Sequence, residues 1–131
     1  MLAKSTMTAS AVLMTLMGIT LSFMPQEVWG YFGSTDPSRL NTVLIQVSGA
    51  LYFAFGLTNW TAKANLIGGV YGRPIAIGNL CHFTIATLAL VKAYFATGEV
   101  ALLIPTIVYF FFAIAFSIIF FTHPVKAEIK M

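Results

Sequence analysis

A chain of 131 residues that is 59% hydrophobic, only 8% charged and has a mean hydropathy of +0.89 lies outside the composition of water-soluble domains, so its solvent is lipid. Its one cysteine, Cys81, excludes an intrachain disulfide, a C-x-x-C redox pair and a thiolate zinc site. The net charge of +3 comes from seven cations spread along an apolar chain, which reads as topology signalling and not as a nucleic-acid surface.

Charges punctuate the sequence. Residues 5–26, 40–62, 74–91 and 100–125 carry none, giving runs of 22, 23, 18 and 26 residues, and a bilayer core takes about 20 residues of helix. Four transmembrane helices are predicted, near 6–24, 37–60, 74–97 and 99–122. The expected fold class is all-α, an integral membrane antiparallel four-helix bundle forming a single domain over residues 1–131. Barrel strands would alternate apolar with polar residues, whereas these runs are apolar all round. Helices also satisfy their own backbone in lipid.

The first run has Lys4 ahead of it, as a signal peptide would, but Ser22-Phe23-Met24-Pro25 offers no small-x-small cleavage site, so a retained helix is expected. On it Thr8, Ala11, Thr15, Gly18 and Ser22 recur at spacings of three and four, a small-residue face where another backbone can approach. Residues 26–38 then mix Trp29, Tyr31 and Phe32 with polar side chains, the composition of a segment lying at headgroup depth. Asp36-Pro37 is expected to start the second helix, with Asp36 capping free amides and proline in the first turn. Glu27, at a helix end beside water, is read as a solvated carboxylate and not a proton relay.

The second helix carries Gly49 and Gly56 seven apart, a second close-packing seam. Residues 61–73 combine Lys63, Asn65, Gly68, Gly69, Gly72 and Arg73, which breaks helices and places cations at a membrane surface. These glycines make no phosphate loop, because no Gly-Lys-Ser/Thr follows. The Asn59-Trp60-Thr61 sequon falls at a helix end on the side assigned to the cytoplasm and is read as accidental. That assignment follows from the cations: Lys4, Lys63, Arg73, Lys126 and Lys130 lie on one side, and Arg39 and Lys92 on the other with Glu27, Asp36 and Glu99. The bias places both termini in the cytoplasm.

The third helix holds the chain's main chemical oddity, Asn79, Cys81 and His82 inside an apolar run. From Pro74 to His82 is about 12 Å along a helix axis, so the imidazole lies well below the headgroups. Asn79 and His82 share a face with Ala86, Ala89 and Ala93 and should point into the bundle, since exposure to lipid is costly. With the second helix antiparallel, Asn59 comes to the depth of Asn79 and Tyr52 to that of His82. Asn59 with Asn79 and Tyr52 with His82 are read first as hydrogen-bonded pairs between helices, at about 0.6 to 2 kcal/mol per bond, and the same four residues form the candidate ligand-binding group as the second reading. Gln46 lies in the outer half of the helix, outside this group. In the fourth helix Glu99 is expected at the positive end of the helix dipole, Pro105 bends the first turns, and Tyr109 to Phe112 with Phe116, Phe120 and Phe121 make a stripe read as packing or lipid-facing.

Haem within one chain is disfavoured, because His82 and His123 differ in depth by about 10 Å; a symmetric dimer could pair two copies of His82. There is no acidic pair, His-Glu motif or serine with a base, and no catalytic or metal-ligating residue is assigned. A small four-helix drug exporter would carry a membrane-embedded carboxylate, which the first run lacks.

Four features resemble the small membrane proteins grouped as DoxX-like: a first helix ending in Phe23-Met24-Pro25, an aromatic segment closing with Phe32-Gly33, a second helix through Leu51-Tyr52-Phe53-Ala54-Phe55-Gly56, and a third helix opening after Arg73. The resemblance spans most of the chain as layout and short apolar patterns. It implies a bacterial inner membrane and, since some members resemble quinone-linked oxidoreductase subunits, a connection to quinone. The leading expectation is a non-catalytic accessory or scaffold subunit without a cofactor, bound by membrane lipid and assembled as a homo-oligomer or in a larger membrane complex, with no nucleic-acid partner. The second is a redox-associated or transport protein that holds a lipid or quinone-like head group on His82 and Tyr52.

Overall fold

The computed structural model describes residues 2–32, 36–64 and 72–122. The glycine pair Gly68-Gly69, His123 and the cations Lys126 and Lys130 lie outside the described residues. Among the described residues every regular element is helical: α1 is Leu2–Phe23, α2 Pro25–Phe32, α3 Arg39–Ala62, α4 Gly72–Thr97 and α5 Leu103–Thr122, with a 3-10 turn at Val100–Leu102 before α5. Four spans, Ala3–Phe23, Arg39–Ala62, Gly72–Thr97 and Val100–Thr122, are long and apolar enough to cross a bilayer. The chain is an all-α integral membrane protein of the expected four-span class.

Helix ends follow local chemistry. Pro25 has no N–H to continue α1, so the chain breaks at Met24, whose carbonyl accepts from Val28 N at 3.1 Å to start α2. The aromatic segment after α1 is therefore a short helix of 8 residues. The start of α3 differs from expectation: Ser38, not Asp36, is the cap. Ser38 is extended at φ −63°, ψ 157°, and its side chain accepts from Asn41 N at 3.2 Å. Pro37 keeps Asp36 out of helical geometry, which moves the start two residues on.

At the far end of α4, Gly98 adopts φ +69° and donates its N–H to Tyr94 O at 2.8 Å, closing the helix in a left-handed cap that glycine enters without strain. Glu99 does not open α5 directly. Leu102 N reaches Glu99 O at 3.0 Å in the 3-10 turn, and Pro105 falls in the first turn of α5, where its missing N–H costs nothing and its ring disfavours an α-helical turn ahead of it.

The chain divides into two compact units, Met7–Lys63 and Met1–Thr6 with Ala64–Met131. In the first, α1 and α3 run antiparallel with their backbones nearly touching. A Cβ added to Gly18 would lie 2.5 Å from Phe53 N, one on Gly49 would lie 2.6 Å from Ser22 N, and one on Gly56 would lie 2.7 Å from Thr15 N. The two small-residue seams read separately in the sequence thus face each other. In lipid, where no hydrophobic force joins helices, such close dispersion contact and interhelical hydrogen bonds hold them together.

The second unit relies on aromatic stacking. Phe83 of α4 is fully buried, stacked on Phe112 at 4.8 Å and on Phe116 at 5.6 Å, with Tyr109 edge-on at 5.3 Å. These contacts, with Arg73 lying 6.0 Å from the Phe120 ring, make α4 and α5 antiparallel. The aromatic stripe of α5 divides by spacing: Tyr109, Phe112, Phe116 and Ile119 form the buried face, while Phe110, Phe111 and Phe121 are exposed. Hydroxyls on all four long helices turn inward on their own backbone. Thr20, Ser48, Thr58, Thr87, Thr106 and Ser117 each donate to the carbonyl four residues back, at 2.6 to 2.9 Å.

Candidate functional site

The four candidate residues fall two to a unit: Tyr52 and Asn59 on α3 in Met7–Lys63, Asn79 and His82 on α4 in the other. Asn59 is fully buried. Its amide nitrogen donates to Ser10 Oγ at 3.1 Å and lies 3.6 Å from Met14 Sδ, while the Ser10 hydroxyl donates to Met7 O at 3.0 Å. A three-membered hydrogen-bond chain thus ties α3 to α1 one turn beyond the Gly56–Thr15 contact. Tyr52, seven residues earlier on α3, is half-buried.

Asn79 is also fully buried, and its amide donates to Ile75 O of its own helix at 2.9 Å. His82, one turn on, is half-buried at the edge of the aromatic cluster, its ring 5.2 Å from Phe83 and 5.9 Å from Tyr109. Cys81 points to the exposed side of α4. Among the described residues no cluster of three or more His, Cys, Asp or Glu side chains is placed to hold a metal ion.

Sequence reading did not single out Ser10, Met14 or Tyr109 as neighbours of the candidate residues. Ser10 and Met14 were discoverable in principle. Once Gly56 is set against Thr15, Asn59 must come opposite the preceding turn of α1, and Ser10 is the hydrogen-bonding side chain there. Outside this pair, Gln46 reaches back to Ser22 O at 3.4 Å near the other end of the same hairpin.

A double-mutant cycle measures the tie. Ser10→Ala and Asn59→Leu, unfolded reversibly in mixed micelles, are expected to couple by about 0.6 kcal/mol and at most about 1.7 kcal/mol. Strict additivity would mean that the bond contributes nothing.

No known protein family, curated protein or solved structure matches this chain.

Proposed function

We propose that this protein is a small non-catalytic integral membrane protein acting as an accessory or scaffold subunit, either as a homo-oligomer or within a larger membrane assembly. The observation that supports it best is the use made of Asn59. This buried amide is engaged by Ser10 and Met14 inside its own hairpin, the arrangement of a polar fastener between helices and not of a group held ready for a ligand. The outward faces carry large apolar side chains, among them Leu16, Leu44, Ile85 and Phe111, suited to lipid and to the helices of partners. The cation bias supports a topology with both termini cytoplasmic. A place in the bacterial inner membrane and membership of the DoxX-like group rest on the layout resemblance.

Purification of the untagged protein from its own membrane in gentle detergent, followed by native mass spectrometry, tests this. Further copies or other chains are expected to travel with it. A monomer alone in the spectrum would refute the reading.

A second reading has one specific support, the half-buried imidazole of His82 beside the Tyr109 ring. In it His82 hydrogen-bonds a lipid or quinone-like head group. The His82→Leu variant should then lose bound quinone from lipid extracts of the purified protein, and an unchanged extract would remove its basis.

A further inference from the structure

We propose that the groove between α1 and α3 holds an acyl chain of an anionic phospholipid whose phosphate pairs with Lys63. The groove is open to the outside, offers about 300 Å³ and is lined by Ala11, Val12, Thr15, Leu16, Leu57 and Trp60. Its shape follows from the sequence: Ala11 and Thr15 are short and make a low floor, while Val12 and Leu16 on one side and Leu57 and Trp60 on the other stand up as exposed apolar walls. A flexible hydrocarbon chain fits such a floor, whereas a helix would need a wider flat face.

Charge selects the head group. Lys63 caps the C-terminal end of α3, and its ammonium lies over the Trp60 ring, 2.8 Å from the centroid, at the mouth of the groove. Trp60 and Lys63 are the residue types that gather at headgroup depth. The two carboxylates of this unit, Glu27 and Asp36, belong to the opposite end of the hairpin, about 36 Å away along α3 at 1.5 Å per residue. The ammonium therefore meets a lipid phosphate without a competing carboxylate from its own unit. A cation at the membrane surface favours an anionic over a zwitterionic lipid by about fivefold.

Trp60 reports occupancy directly. The Trp29→Phe variant leaves it as the single tryptophan and is reconstituted into phosphatidylcholine vesicles carrying bromine on the acyl chains of either phosphatidylglycerol or phosphatidylcholine. Half-maximal quenching is expected at about fivefold lower mole fraction of the brominated anionic lipid. That preference should fall to near one with Lys63→Gln and persist with Lys63→Arg. With the lysine intact, 1 M salt should also weaken it, since screening then acts within about 3 Å. Equal quenching by the two lipids, or a preference that survives Lys63→Gln, overturns the proposal.

Discussion

Gly18→Ala is expected to destabilise the α1–α3 hairpin by about 2 kcal/mol, although alanine is the better helix former by about 1 kcal/mol. The new Cβ would meet Phe53 N, Cα and Cβ at 2.5, 2.7 and 2.8 Å. Two of these atoms are backbone, so no rotamer change relieves the overlap and α3 must move away. Separation of the helices would also stretch the Asn59–Ser10 bond and forfeit dispersion contact along the seam. The same substitution at Gly30, where an added Cβ meets nothing within 4 Å, should instead stabilise α2 by about 0.5 to 1 kcal/mol. Equilibrium unfolding in mixed micelles reads both signs. If Gly18→Ala stabilised the protein as Gly30→Ala does, α1 and α3 could not be in backbone contact.

Phe83→Ala should be at least as damaging, at about 3 kcal/mol. Phe83 is fully buried and touches three rings of α5, so truncation removes the centre of the stack and leaves a cavity. The value sits near the lower end for a phenylalanine truncation because lipid reduces the transfer part of the cost and leaves the lost packing. Phe111→Ala, on the exposed face of α5, is expected to change stability by less than about 0.5 kcal/mol. Similar losses at both positions would show that the stack does not hold α5 to α4.

The spans were legible because a charge inside hydrocarbon is costly, so charge-free runs mark membrane crossings without knowledge of packing. The seams were legible for a related reason: Gly18, Gly49 and Gly56 announce close approach through their spacing alone. What approaches them was not written locally. The register that puts Thr15 against Gly56, and hence Ser10 against Asn59, is a property of two helices together. At the start of α3 two neighbouring residues can cap, and Pro37 decides for Ser38 over Asp36 by restricting the residue before it. The sequence placed His82 at depth but not beside Tyr109, because the rotation of α5 about its axis depends on which of its many aromatic residues α4 accepts.

The inward-turned hydroxyls bear on how the chain enters its membrane. A partition scale counts each serine or threonine as a bare alcohol that must shed water on the way in. Thr58 and Ser48 on α3, and Thr106 and Ser117 on α5, instead carry their acceptor with them one turn behind. To the insertion machinery these segments are greasier than their letters suggest, and the polar cost of crossing falls chiefly on Gln46 and Asn59, whose amides meet acceptors on α1, and on His82.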